Sequence, residues 1–444
     1  MERNIGRELF LGKPAKNRKI KETIRRTMIR RKNQACRTYE LKIDQSHLDA
    51  EVRGHLTRLF LEAKWFYNSL IAQGKANRDG LWNADYKAQK VMVKRKSVFE
   101  EHELRCLSSQ MKQEIIGRAK DNIVGLSKLK KKGRRVGGLK FTGRVHSIPL
   151  NQYGVTYWIN SNRIHLQKLK RPLRVRGLRQ IPKDAEYANA TLIQRNGDYY
   201  VHVTTFQPKP QIQFKQKSIG VDGGIRKQLV LSNGVEIEES VPLTKKIRRL
   251  HREFSRKKKG KNRAKAQEKL NLAYDELTRQ RRDIRNKVGG KLTRTFEVVC
   301  VQDDNVSGWQ RLWGRRILAT GIGGLMSALN KAHTPAPVDR FYPSTKTCSR
   351  CGHMQNVDLD EKTFRCEACG LVIDRNLNAA INNEQEGLKN IGVPVVRREF
   401  TPVDTKTSAE LVGYFNSIPR VRASLVEEAG SRASARKPTT SVVW

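Results

Sequence analysis

Two Cys-x-x-Cys pairs, Cys348-Ser-Arg-Cys351 and Cys366-Glu-Ala-Cys369, lie fourteen residues apart. Each pair has the spacing of a tight knuckle that offers two thiolates to one ion, and the intervening loop lets the knuckles face each other. Four of the seven cysteines fall into this pattern, while Cys36, Cys106 and Cys300 are scattered and outline no disulfide framework. A reducing compartment fits that usage. The expected occupant is a structural Zn2+, because four thiolates leave no open position for an activated water.

A second candidate is Gly220-Val-Asp222-Gly-Gly224, where an acid ends the apolar strand Ser218–Asp222. An RNase H-like fold presents its first metal carboxylate this way, rigid on a strand end with room beside it for a phosphate. Alone the motif is weak, since an Asp before glycines is more often a turn. The order of elements strengthens it. A second strand, Gln228–Ser232, is followed by a charged helical region over 243–288 that turns at Lys257–Arg263. The apolar strand Glu297–Val301 then runs into Gln302-Asp303-Asp304. After the cysteines, Asp374-Arg-Asn376-Leu-Asn378-Ala-Ala opens a short helix over Asn376–Asn383.

The elements that carry these groups sit in a very basic chain. Lys and Arg number 89 against 43 Asp and Glu, for a net charge of +46 over 444 residues. Such an imbalance points to a polyanion partner. No apolar run approaches the roughly 18 residues of a membrane span, and Met1–Lys32 is polar and basic, unlike a signal peptide. Upstream, Arg37–Ile43 alternates like a strand. Leu56, Leu59, Phe60, Ala63, Phe66, Tyr67 and Leu70 repeat at three and four, which predicts a helix over Ser46–Gln73. Further helices are expected over Ala88–Val98 and Leu107–Leu129. Strands are expected at Tyr153–Ile159, Ala190–Ile193, Tyr199–Thr205 and Val338–Tyr342, with a boundary at Pro208 and Pro210. The chain beyond Gly387 reads as irregular, and Ser431–Thr440 as disordered.

The order of motifs, with Phe341-Tyr-Pro-Ser-Thr-Lys-Thr-Cys-Ser-Arg-Cys-Gly352 and Cys366–Ala380 as its most distinctive parts, resembles the TnpB proteins of insertion sequences and the related miniature type V CRISPR effectors. The resemblance implies an α+β multidomain protein. Residues 1–35 would be a basic arm, 36–45 and 131–212 a β-rich wedge domain, and 46–130 a helical recognition lobe. Residues 213–344 and 373–395 would form an RNase H-like (RuvC) α/β domain with a zinc ribbon inserted at 345–372, and 396–444 an irregular tail. Implied partners are a guide RNA and target double-stranded DNA beside a short flanking motif, in a prokaryotic cytoplasm and on the nucleoid when bound. Monomer and dimer both stay open.

The resemblance also implies three carboxylates on a nuclease site, and this chain departs from it. Asp222 fills the first position. The middle position holds Gln302 where a Glu is expected, and the last holds Asn376 where an Asp is expected. Two-metal cleavage uses anionic ligands, and Mg2+ relies on carboxylates. Loss of two charges of three implies a nuclease-deficient site and a role in DNA targeting or transcriptional repression. The alternative is an active endonuclease on a shifted set, Asp222, Asp304 and Asp374, with Mg2+. Residues 302 and 304 share one face of a strand. A guide-independent zinc-ribbon DNA binder is the remote third reading.

Nucleic-acid contacts are expected from Lys257, Lys258, Lys259, Lys261 and Arg263 at the helical turn, and from Arg279, Arg281 and Arg282 beyond it. Lys64, Trp65 and Asn68 are expected in the recognition lobe, where helix core is the competing role. Arg350, Arg365 and Arg375 are expected beside the ribbon. Contacts of this kind to phosphates steepen the salt dependence of binding.

Overall fold

A computed structural model of the chain describes residues 13–76, 79–95, 98–208, 217–239, 241–258, 260–314, 317, 320–330, 335–358, 360–393 and 405–426. The chain divides into two compact units, Met1–Lys209 and Pro210–Trp444.

The first unit begins with helix α1 (Lys13–Lys32), whose last turn is basic. Its sheet has seven strands in the order β4-β8-β9-β1-β7-β6-β5. These are β1 (Gln34–Ile43), β4 (Ser147–Leu150), β5 (Tyr157–Asn160), β6 (Arg163–Leu166), β7 (Leu173–Arg176), β8 (Glu186–Arg195) and β9 (Asp198–Pro208). All pairings are antiparallel. Two helices, α2 (Ala50–Ala76) and α3 (Ser109–Lys131), share the sheet's core. The α2 face of Leu56, Leu59, Phe60, Ala63, Phe66 and Leu70 is buried as its spacing predicts.

Residues 88–98 depart from the helix expected there. They belong to a hairpin of β2 (Lys90–Arg95) and β3 (Val98–Glu103). Val91 is buried while its neighbour Met92 is exposed. That is the two-residue alternation of a strand, carried by β-branched valines that suit it. The strand expected from Tyr153 begins only at Tyr157, because Gly154 N donates back to Tyr157 O and turns the chain first.

The second unit is built on a mixed six-stranded sheet, β14-β13-β10-β11-β12-β17. Its strands are β10 (Ser218–Gly223), β11 (Leu229–Leu231), β12 (Val235–Glu239), β13 (Val298–Gln302), β14 (Pro335–Val338) and β17 (Val421–Leu425). β10, β13 and β14 run parallel, and the other pairings are antiparallel. Ile219, Val221, Val299 and Val301 point into the larger core with α5 (Lys261–Thr295), α7 (Ile322–Leu329) and α9 (Thr405–Asn416). Alternate residues face α8 (Arg375–Asn390). A Cβ on Gly220 would stand 1.9 Å from the Ala380 carbonyl oxygen, so α8 can press onto β10 only because residue 220 has no side chain. The charged region resolves into α4 (Lys245–Arg256) and α5; α6 (Val306–Trp313) follows β13. The small hairpin of β15 (Thr363–Arg365) and β16 (Val372–Asp374) belongs to the ribbon.

Three further segments depart from the expected elements. The strand expected over Val338–Tyr342 ends at Val338, where Asp339 starts a turn: Phe341 N donates to Asp339 Oδ1 and Tyr342 N to Asp339 O. The helix expected over Asn376–Asn383 continues to Asn390, with Leu388 buried. The tail is not irregular over 405–425. α9 buries Leu411 and Phe415, and β17 completes the sheet edge beside β12. Ser431–Thr440 lie outside the described residues.

Candidate metal centre and acidic site

The Cys-x-x-Cys segments fold into matching knuckles. Gly352 N donates to Cys348 O at 2.9 Å and Gly370 N to Cys366 O at 3.0 Å. Both glycines sit in the left-handed region, at φ 80° and 69°, where a Cβ is costly. The four sulfur atoms of Cys348, Cys351, Cys366 and Cys369 all lie within 4.8 Å of one another. The facing pairs Cys348–Cys369 and Cys351–Cys366 are each 3.6 Å apart. A tetrahedron with Zn–S bonds of about 2.3 Å has edges of about 3.8 Å, so the four thiolates fit one ion such as zinc. Phe364, Ile373 and Leu377 pack under the knuckles.

Buried amides of α8 fasten the ribbon. Asn378 Nδ2 donates to Thr347 O at 2.7 Å, and Asn378 Oδ1 accepts from Ser349 N at 2.9 Å. Asn382 Nδ2 donates to Thr347 O and Ser344 O at 2.6 and 2.8 Å. Asn383 Nδ2 donates to Val221 O of β10 at 3.0 Å. All three side chains are fully buried. No motif in the sequence marks Asn382, Asn383 or Ser344 for this role. The available signal was Asn378 and Asn382 four residues apart, on one face of a helix.

The acidic site lies where β10 and β13 end. Asp304 Oδ2 reaches to 3.5 Å from the place a Cβ on Gly223 would occupy, so this carboxylate lies over the end of β10. Burial, helped by Asp304 and Asp374 and opposed by the Arg375 guanidinium, pushes the Asp222 carboxyl up to about 8. Burial also pushes Asp304 up to about 6, helped by Asp303 and opposed by Arg340. The three acids therefore share one field. They do not join the cysteines as a gathered ligand set: among the described residues, the cysteine cluster is the one group of three or more His, Cys, Asp or Glu drawn that close.

Each remaining member has a structural task. Asp374 caps α8, its Oδ1 accepting from Asn376 N and Leu377 N at 2.9 and 3.1 Å. Asn376 is half-buried in the first turn. Gln302, buried at the end of β13, turns its amide to the loop after β14. Its Nε2 donates to Asp339 O, Arg340 O and Tyr342 O at 3.1, 3.4 and 2.8 Å, and its Oε1 accepts from Ser344 Oγ at 3.0 Å. A carboxylate has no hydrogen to offer those three carbonyls.

The basic candidates divide. Lys258, Lys261, Arg279, Arg350 and Arg365 are exposed. Lys257 pairs with Glu253. Arg263 donates to Phe254 O and Lys257 O and stacks on Phe254, pinning the turn between α4 and α5. Arg281 donates to Val241 O, and Arg282 is half-buried. Arg375 donates to Asp358 O. Lys259 lies outside the described residues. In the first unit Lys64 is half-buried and Trp65 is buried, with its ring stacked on His102. The Asn68 side chain is taken up by the Thr142 backbone, N–H and carbonyl both.

The second unit thus defines a mixed α+β protein with a four-cysteine metal centre fastened to its central sheet. The family description "Cas12f1-like, TNB domain" matches residues 330–383, and "Probable transposase" (OrfB_IS605) matches residues 200–312. A Streptomyces pristinaespiralis protein named "Putative RNA-guided DNA endonuclease" is 30% identical over 250 residues, 52% of this chain and 60% of that protein. TnpB-like protein L79 of Acanthamoeba polyphaga mimivirus is 26% identical over 223 residues, 43% of this chain and 41% of its own length. A cryo-EM structure of a Cas12f1–sgRNA–target DNA complex overlaps 79% of this chain and 99% of that chain, at 15% identity and a TM-score of 0.45. Over these segments the chain is similar to the TnpB and Cas12f1-like family. It spans less than two thirds of the length of these two curated relatives.

Proposed function

We propose that this protein binds double-stranded DNA under the direction of a guide RNA, through a RuvC-like domain whose nuclease site is degenerate, and so targets or represses DNA without cutting it. RNA guidance and a DNA target are taken from the relatives' names. The net charge of +46 supports a polyanion partner of this size. The parallel trio β10, β13 and β14, extended by antiparallel β11 and β12, supports an RNase H-like domain. The cysteine centre takes a structural zinc.

The observation that carries the degenerate reading is Gln302. At the middle-strand position it supplies a neutral amide, and that amide is committed to the 339–344 loop. Asp374 spends one oxygen on its helix cap. The groups present do not fit a two-metal Mg2+ site, which needs charged oxygens directed at both ions. The shared field of Asp222, Asp304 and Asp374 favours the second reading, an active site on the shifted acids.

The exposed Lys258, Lys261 and Arg279 are assigned to the guide or heteroduplex backbone, and Arg350, Arg365 and Arg375 to nucleic acid beside the ribbon. Base pairing supplies sequence in such systems, while protein reads shape and backbone. The test is to purify the protein from its host, sequence the copurifying RNA, and measure binding to duplexes that do and do not match it. Selective binding of the matched duplex is expected. No discrete RNA, or equal binding to both duplexes, contradicts the proposal.

A further inference from the structure

Phe341 is the most exposed large apolar side chain among the described residues, at 86%. It does not sit on a loose loop. Its N–H is held by Asp339 Oδ1 at 2.8 Å. The carbonyls on either side of it, Arg340 O and Tyr342 O, both accept from Gln302 Nε2. Arg340 next to it is fixed in turn: its Nε donates to Asp303 O at 2.9 Å and its Nη2 to Asp303 Oδ2 at 2.7 Å. Ser344, three residues on, closes the anchor through Gln302 Oε1 and through Asn382. The backbone bonds of residues 339–344 thus hold a bare phenyl ring out in water.

The setting narrows what the ring meets. Residues 339–350 carry three cations, Arg340, Lys346 and Arg350, against one acid, Asp339, and Arg340 is paired with Asp303. The loop adjoins the acidic site, for Arg340 acts on Asp304. An aromatic face beside cations suits a base whose phosphates run alongside, and such stacking tolerates any base because each has a π-face.

We propose that Phe341 is a stacking platform for an unpaired base of bound nucleic acid, and that Gln302 is the positioning residue that holds its loop. The proposal rests on the nucleic-acid binding argued above, and it gives the amide at 302 a task that a glutamate could not perform, since three carbonyls need its two hydrogens.

The test uses the full zinc-loaded chain with two probes, an oligothymidylate and an oligouridylate, each with one fluorescent aminopurine. Quenching on binding reports stacking, and anisotropy reports affinity. Phe341→Ala is expected to abolish the quench and weaken binding roughly fivefold to a hundredfold, the loss of one stacked base. Its melting temperature should not move, because the ring touches water. Phe341→Tyr should keep both signals. Gln302→Glu should weaken binding in the native background and add nothing on top of Phe341→Ala. A quench with one probe only supports the proposal and names the strand. Undiminished quench and affinity in Phe341→Ala overturn the platform while leaving nucleic-acid binding standing. Additive losses overturn the role of Gln302. Failure of the native protein to bind either probe overturns this proposal and contradicts the nucleic-acid reading beneath it.

Discussion

Helix α8 serves two sites of different completeness. Along its first turns Asn378 and Asn382 hold the knuckle that carries Cys348 and Cys351, and there every donor is in place, four sulfurs within 4.8 Å. At its N-terminus Asp374 acts with Asp304 on the buried Asp222, and there the set is partial: one oxygen caps the helix, and the middle strand offers an amide. The difference teaches that scaffold and chemistry are separable in this fold. The four thiolates of the ribbon stand where one ion such as zinc fits. At the sheet end, the close approach of α8 to Gly220 and the Asn383 bond to Val221 O hold the backbone together.

The comparison is broken most directly by removing a ligand from the complete site. Cys366→Ser should release zinc and open residues 345–372 to protease, since structural zinc contributes on the order of 10 kcal/mol to such modules. Zinc content and limited proteolysis check this. Chelator should have the same effect on the ribbon and leave the transition of the central sheet almost unmoved; a sheet that melts with the ribbon would erase the distinction.

A smaller effect is expected at the joint between the two sites. Asn378→Ala leaves Thr347 O with Asn382 as its remaining partner and strips Ser349 N of its acceptor. About 1–3 kcal/mol of stability should be lost, with faster zinc release, read by urea unfolding and a colorimetric chelator.

The last effect is a slope of stability with pH. Asp222 is raised from 3.8 to about 8 in the folded protein. The folded state therefore keeps a proton that the unfolded chain releases. Its stabilising contribution is full below about pH 4 and is lost as pH rises toward about 8, at no more than about 1.4 kcal/mol per pH unit. Asp222→Asn should flatten that slope in chemical unfolding at several pH values. An unchanged slope would show that Asp222 is not buried as the structure places it.

Much of this was legible in the residues. The cysteine spacing fixed the knuckles because metal ligation tolerates few alternatives. The strand ending in Asp222 and the helix face of Leu56 to Leu70 announced themselves by period. The hairpin at 90–103 was missed because Val91, Met92 and Val93 form a short apolar run that suits either a helix or a strand. The fold of 405–425 was missed although Leu411, Phe415 and Ile418 repeat at four and three, a signal drowned by polar flanks. At the acidic site, the sequence exposed the substitution of Gln302 but not its use. Only the arrangement of loop 339–344 shows that the amide has three carbonyls to satisfy.

Under the proposed function, the sheet-end site holds DNA without cutting it. The deciding measurement is cleavage of a supercoiled plasmid carrying the matched target by the purified ribonucleoprotein, with Mg2+ or Mn2+, alongside a binding assay on the same plasmid. Occupancy of the target with the plasmid left intact is expected. Efficient linearisation that disappears on Asp304→Ala would contradict it and establish the shifted acids as a working nuclease.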